Sequence, residues 1–275
     1  MNGRSGMEGA AAGGLREALG LREKELVAVV GGGGKTSLML ALAGELQASG
    51  ARVVVSTTTK VWQKEARLLP ESVTAGGEGW EAALVQGLER HGAVFLGKGL
   101  LPSGKVDGIA PEEADALIRR PEVDCLIVEA DGAAGRPLKA PADHEPVIPG
   151  GASLVVAVMG LEALGKPFSD EWVFRAERFA ALTGMQASEI ITAPRLARVF
   201  LAGAGLFKGS PPGARRVVFL NKLDLLGSEA EALALCRAIL EGSGGGIERV
   251  VMGAVKQKTF NVFIGKKDDQ HLRQG

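Results

Sequence analysis

The run Gly31-Gly32-Gly33-Gly34-Lys35-Thr36-Ser37 puts a stretch of backbone without side chains next to one ammonium and two hydroxyls. That combination suits a polyphosphate. Consecutive glycines reach positive φ at low cost, so their N–H groups can converge on an anion that no side chain obstructs. The apolar run Leu26 to Val30 precedes the glycines and Leu38 to Ala43 follows them, giving a strand, loop and helix order in which the helix N-terminus adds partial positive charge. In this reading Lys35 reaches the terminal phosphates, the Thr36 hydroxyl ligates Mg²⁺, and Ser37 supplies a second hydroxyl.

Two further segments fit a bound nucleotide. The run Leu126-Ile127-Val128-Glu129-Ala130-Asp131-Gly132 ends a strand on two carboxylates, either of which can hold Mg²⁺ directly or through water. Residues alone do not choose between Glu129 and Asp131. Glu129 and Gly132 together resemble the third GTPase motif in its glutamate form, in which the glycine N–H senses the γ-phosphate. Farther along, Asn221-Lys222-Leu223-Asp224 has the spacing of the guanine-reading motif of GTPases.

There Asp224 would accept from guanine N1–H and the 2-amino group, Asn221 would tie its loop to the glycine loop, and the Lys222 stem would pack over the base. Adenine would leave that carboxylate unpaired, and sites built on such pairing discriminate by about 10⁴ or more. Ala254, after the last strand, would offer an N–H to guanine O6, although the serine usual beside it is absent. The glycine loop itself departs from GxxxxGK[ST], because Val29 stands where the first glycine would be. It fits a shorter GxxGKT form similar to that of Mur-type ligases.

Other residues could join the site. Thr57-Thr58-Thr59-Lys60, ending the second strand, brings hydroxyls and an ammonium to where a switch segment would meet the γ-phosphate. Arg136, Lys139, Asp143, His144 and Glu145 lie in a loop from Gly132 to Gly151 that four prolines keep from being helical. Arg136, Lys139 and His144 could form a cationic clamp on a transferred phosphoryl group, in cis or across a dimer, or contact a second substrate or client. Histidines stand only at 91, 144 and 271, and this spread makes no metal constellation.

The elements that must position these residues can be read from hydrophobic pattern. Continuous apolar runs at Leu26 to Val30, Arg52 to Ser56, Ala93 to Leu96, Cys125 to Glu129, Leu154 to Met159, Val217 to Leu220 and Glu248 to Met252 mark strands buried on both faces. Amphipathic stretches alternate with them: Thr36 to Ala48, Trp80 to Arg90, Pro111 to Arg119, Trp172 to Leu182, Pro194 to Leu201 and Ser228 to Leu240. The pattern predicts an α/β, three-layer fold with a mostly parallel central sheet. Residues 1–20 are expected to be a flexible N-terminal segment, 21–255 the nucleotide-binding domain and 256–275 a tail, in which Thr259 to Ile264 would be a strand or a partner-binding segment.

Across 275 residues, Lys plus Arg equals Asp plus Glu at 32 each, so no basic excess points to nucleic acid or an anionic membrane. Apolar runs are strand-sized and short of the roughly 20 residues that span a bilayer. Cys125 and Cys236 both sit in apolar patterns, without a CxxC neighbour, and are expected as reduced core thiols. A cytoplasmic location follows as the expectation.

The blocks GGGGKTS, TTTK and EADGAAGRPLKAPADHEPVIP, taken together, resemble the selenium-dependent molybdenum hydroxylase accessory proteins, over roughly Leu15 to Gly253. The resemblance implies a P-loop NTPase fold and a role in maturing selenium-dependent molybdenum enzymes. The phosphate-loop positions of that family correspond to Gly31 through Ser37, its acidic motif to Glu129, Asp131 and Gly132, and its loop to Arg136, Lys139, His144 and Glu145. The expected activity is Mg²⁺-dependent binding and hydrolysis of GTP, or ATP, used as a switch. A client molybdenum hydroxylase or its maturation machinery and a second copy of the chain are the expected partners. Two alternatives stand beside it: an ATP-dependent kinase or ligase with its acceptor in the 132–150 loop, and a non-hydrolysing nucleotide-binding scaffold.

Overall fold

The computed structural model describes residues 9–62 and 69–265. In chain order the strands are β1 (Ala10–Ala11), β2 (Glu25–Gly31), β3 (Val53–Thr57), β4 (Val61–Trp62), β5 (Ser72–Thr74), β6 (Ala93–Gly97), β7 (Gly99–Leu100) and β8 (Lys105–Asp107). They continue with β9 (Cys125–Glu129), β10 (Leu138–Lys139), β11 (Leu154–Gly160), β12 (Val173–Phe174), β13 (Arg215–Asn221), β14 (Arg249–Ala254) and β15 (Thr259–Ile264). Ten of them make one sheet in the order β1-β15-β14-β13-β11-β2-β9-β3-β6-β5. All neighbours from β14 to β5 run parallel, and β15 and β1 close one edge antiparallel.

Strict alternation along each buried strand divides the core in two. On one face Leu26, Ala28 and Val30 of β2 join Val155, Ala157 and Met159 of β11, and on the other Val27 and Val29 join Val156 and Val158. Helices α1 (Leu15–Leu19) and α2 (Lys35–Ala48) cover the second face. Helices α3 (Trp80–His91), α4 (Pro111–Leu117), α5 (Ala176–Thr183), α6 (Ala193–Leu201) and α7 (Glu229–Gly242) cover the first. The result is helix, sheet, helix, as strands buried on both sides require.

Local signals set the helix ends. Gly50, at φ +86°, follows α2, and Ala51 N–H closes its last turn on the Leu46 carbonyl. Ser228 Oγ accepts the Ala230 N–H at the start of α7, as its position ahead of Glu231 predicts.

Three expectations change. The helix expected from Trp172 begins only at Ala176, because Val173 and Phe174 pair in parallel with Leu138 and Lys139 and Arg175 takes a left-handed φ of 61°. Residues 9–20, set aside as flexible, carry β1 and α1, and Leu15, Ala18 and Leu19 pack into the core. Thr259 to Ile264, placed in the tail as a strand or a partner-binding segment, is the strand β15, and it belongs to the main sheet, paired along its length with β14. The remainder of those end segments, 1–8 and 266–275, and residues 63–68 lie outside the described residues.

Candidate functional site

The glycine loop bridges the C-terminal end of β2 and the first turn of α2, beside the ends of β9, β11 and β13. Carboxyl ends of parallel strands are where open α/β sheets bind ligands. The four glycines are needed first for packing. A Cβ on Gly31 would lie 2.2 Å from the Val158 carbonyl oxygen, one on Gly32 2.6 Å from the Arg136 oxygen, one on Gly33 2.1 Å from Gly160 N, and one on Gly34 2.5 Å from Asn221 Nδ2. Gly31, Gly33 and Gly34 also hold positive φ.

Three loop amides are engaged by protein: Gly31 N–H donates to the Asp131 carboxylate, and Gly32 N–H to the Val158 carbonyl and Gly33 N–H to the Arg136 carbonyl, the last two at 3.0 Å. The N–H groups of Gly34, Lys35 and Thr36 have no hydrogen-bond partner among the described residues. They sit at the mouth of α2, where backbone donors lack intrahelical acceptors. The anion cradle available is therefore narrower than four glycines suggest, and it centres on the helix start.

Lys35 is buried and folded back. Its Nζ donates to the Gly31 carbonyl at 2.6 Å and lies 3.2 Å from Asp131 Oδ1 and 3.4 Å from Glu129 Oε1. Burial alone would lower its pKa, but the fields of Asp131 and Glu129 outweigh that and hold it above the ordinary value. At the same helix start the Thr36 hydroxyl is 3.5 Å from Glu129 Oε2, beside a small void of about 20 Å³ that Thr57 also lines. Ser37 is exposed.

The two acids differ in setting. Asp131 is fully buried, and both its oxygens accept the Gly31 N–H, at 3.1 and 3.0 Å, while Lys35 and Lys139 flank it. Glu129 is half-buried and faces Lys35 and Thr36. Its carbonyl accepts from Thr57 Oγ1 and Thr58 N–H, both at 3.0 Å, and Thr58 Oγ1 donates onward to the Val147 carbonyl at 2.6 Å. The threonines at the end of β3 thus link the acidic strand end to the proline-rich loop. Gly132 faces open space, where an added Cβ would meet nothing within 4 Å.

Hydroxyl and carboxylate oxygens are the donors Mg²⁺ takes, and this ion commonly uses one or two protein ligands with water and phosphate completing its shell. Thr36 and Glu129 fit that pattern.

The base-reading segment also lies alongside. Asn221 is buried, donates from Nδ2 to the Gly33 carbonyl at 2.9 Å and accepts the Val255 N–H at 3.2 Å. Lys222 takes a left-handed φ of 63° and forms an ion pair with Glu162. Asp224 lies in a short 3₁₀ turn, Leu223–Leu225, with its side chain exposed. Ala254 is buried at the end of β14 opposite Thr259.

The loop after Asp131 gives a result that residue types did not foretell. Arg136 is exposed, and its contact with the phosphate loop is made by its carbonyl; His144 is exposed too. Lys139 is buried, with Nζ 2.6 Å from the Gly132 carbonyl, 2.9 Å from Asp131 Oδ2 and 2.8 Å from Glu145 Oε2. Glu145 in turn accepts both terminal nitrogens of Arg175, whose guanidinium stacks over Phe174. Charges alternate along Lys35, Asp131, Lys139, Glu145 and Arg175. Burial would raise the Glu145 pKa, yet the hydrogen bonds from Arg175 and Lys139 hold it down at about 2. Arg175 and Glu162 carried no signal in the sequence, since each reads there as an ordinary surface charge.

A larger cleft of about 930 Å³ lies away from these groups, between α1, α2 and the β14–β15 turn, where Leu40, Gly44 and Phe260 line it.

The model of the YqeC protein family matches residues 27–177, which run from β2 through the phosphate loop, the acidic strand end and the buried charge chain. This chain belongs to the YqeC family. YqeC of Escherichia coli (strain K12) is 37% identical over 212 residues, 72% of this chain and 75% of that one. Among solved structures, chloroplast FtsY from Physcomitrella patens is similar with a TM-score of 0.40 at 12% identity, over 84% of this chain and 59% of its own. FtsY from Mycoplasma mycoides has a TM-score of 0.35 at 13% identity, over 88% and 64%. This YqeC-family chain thus spans less than two thirds of either FtsY chain. No helix among the described residues is long and apolar enough to cross a membrane.

Proposed function

We propose that this YqeC-family chain binds the Mg²⁺ complex of a nucleoside triphosphate, GTP in preference to ATP, and hydrolyses it slowly as a switch. The observation that carries the reading is the helix start itself: unpartnered amides of Gly34, Lys35 and Thr36, with the Lys35 ammonium beneath them and the Thr36–Glu129 oxygen pair alongside. Backbone donors, a helix dipole and a buried cation together favour a multiply charged anion. The phosphates would lie over these amides. Lys35 would turn from Asp131 and Glu129 to the terminal phosphates, and Gly132 N–H would meet the γ-phosphate.

Thr36 and Glu129 would hold Mg²⁺, which when bound neutralises charge on the phosphates; Asp131, enclosed by Gly31 N–H, Lys35 and Lys139, would position the loop instead. Asp224, exposed beside the loop that Asn221 fastens down, would read guanine, with the Lys222 stem beneath the base and the Ala254 edge nearby. Arg136 is the candidate cation for the transferred phosphoryl group. The likeness to selenium-dependent molybdenum hydroxylase accessory proteins supports a role in maturing such an enzyme, with hydrolysis stimulated by the client or by a second copy of the chain.

Calorimetry with Mg²⁺ and non-hydrolysable GTP and ATP analogues tests the binding claim. One site with tighter GTP binding is expected; equal or tighter ATP binding would remove guanine and favour the kinase or ligase reading. Phosphate release measured with and without a purified client separates the switch from a scaffold that never hydrolyses.

A further inference from the structure

Lys35 is occupied in this structure. To serve phosphate it must leave the Gly31 carbonyl and the carboxylates of Asp131 and Glu129. Glu129 is half-buried at the site's edge, where a cation and water can replace the lysine. Asp131 has no such recourse, because it is fully buried and a buried carboxylate stripped of its cation is strongly destabilised. Release of Lys35 would be prohibitive unless another positive charge already stood beside Asp131.

Lys139 is that charge. Its Nζ lies 2.9 Å from Asp131 Oδ2, while the Lys35 ion pair is with Oδ1 at 3.2 Å. An ammonium has three N–H donors, and Lys139 donates to the Gly132 carbonyl and to Glu145 Oε2 while its charge stands beside Asp131 as an ion pair. Buried and held between these partners, Lys139 acts as a fixed support. Its backbone is held by the β10–β12 pairing, with Leu138 N–H donating to the Trp172 carbonyl at 3.1 Å and Ala140 N–H to the Phe174 carbonyl at 3.3 Å. Arg175 anchors the far side of Glu145.

We propose that Lys139 is a standing counter-ion for Asp131, a positioning residue that keeps this carboxylate neutralised when Lys35 departs and so sets the affinity for the triphosphate. The proposal rests on the reading above that Lys35 moves onto phosphate. Its consequence is specific. Without Lys139, Asp131 would keep Lys35 for itself, and ligands that need Lys35 would suffer while those that do not would be spared.

The test is calorimetry with Mg²⁺ and guanylyl imidodiphosphate, and separately with GMP, on the wild type, Lys139→Met, Asp131→Asn and the double variant Asp131→Asn, Lys139→Met. Loss of the charge-assisted contacts of Lys139 should weaken triphosphate binding about tenfold or more. GMP binding should stay unchanged, which deformation of the site would not allow. Neutralising Asp131 in the same chain should restore triphosphate affinity to within about threefold of wild type, as coupling through a shared partner requires.

Wild-type triphosphate affinity in a folded Lys139→Met variant would overturn the proposal, and so would a double variant as weak as Lys139→Met. Should Lys139→Met fail to fold, the double variant, free of the lone carboxylate, decides: folding with near-wild-type affinity supports the proposal, and a loss beyond about tenfold overturns it. A wild type that binds no triphosphate would instead bring down the reading on which the proposal stands.

Discussion

Asn221 and Gly33 are joined by a hydrogen bond of 2.9 Å from the Asn221 amide to the Gly33 carbonyl, and the other end of the same side chain receives the Val255 N–H. One buried amide thereby ties the phosphate loop to the segment that carries Asp224 and to the end of β14. Asn221→Ala leaves the Gly33 carbonyl and Val255 N–H without their partner, at a cost of about 1–3 kcal/mol for each buried group left unsatisfied. A lower urea midpoint and weaker nucleotide binding are expected together. An unchanged midpoint would show that the clasp is not made in solution.

Gly33 has φ +75° and sits against Gly160 so closely that any Cβ there overlaps backbone. Gly33→Ala must therefore displace the loop from β11, and the left-handed conformation alone costs roughly 1–2 kcal/mol for an L-residue. Thermal unfolding should report the destabilisation, with triphosphate binding lost in the protein that remains folded. Full binding in that variant would mean that the loop adopts another path.

Glu145 gives a pH dependence with a definite sign. Its folded pKa of about 2 lies below the ordinary 4.5, so the unfolded chain takes up the proton first as pH falls. The stabilisation is complete above pH 4.5 and is lost progressively as the pH falls from 4.5 to about 2. Urea unfolding followed across that window should show a shallower acid-side decline for Glu145→Gln than for wild type. Parallel declines would remove Glu145 from the account of acid stability.

Asp224 stands exposed with its carboxylate open to a ligand. Asp224→Asn replaces an acceptor pair by an amide that can donate to the C2 oxygen of xanthine, so preference should move from guanine toward xanthine nucleotides. Displacement of a fluorescent GTP analogue by GTP and XTP measures this. Retained guanine preference would take base reading away from Asp224.

Much of this was written plainly in the chain. Seven strands announced themselves because strands buried on both faces carry unbroken Val, Ile and Leu, as in Leu154 to Met159. The glycine loop, Glu129, Asp131 and the Asn221 tie were legible because each belongs to a motif in which residue type and spacing suffice. The N-terminal β1 and α1 were not, since a two-residue strand and a five-residue helix are too short to show a period. Lys139 and Glu145, bracketed by prolines, read as candidate site residues in an irregular loop, with nothing to mark them as buried. What buries them is the β10–β12 pairing with residues far along the chain, a tertiary contact that no local pattern encodes.

Four glycines were also over-read. Gly32 and Gly33 give their N–H groups to the Val158 and Arg136 carbonyls, so their lack of side chains serves close backbone packing as much as any ligand. Sequence cannot distinguish a glycine that makes room for a phosphate from one that makes room for a neighbouring strand.

The central claim is that the start of α2 grips a triphosphate through its amides and Lys35. Titration calorimetry of the wild type and Lys35→Met with the Mg²⁺ complex of guanylyl imidodiphosphate, with circular dichroism as the folding control, tests it most directly. The account predicts saturable one-site binding by the wild type and a loss of about 100-fold in the variant, the magnitude of one or two charge-assisted hydrogen bonds. No wild-type binding at millimolar ligand, or equal affinity in a folded variant, would contradict it.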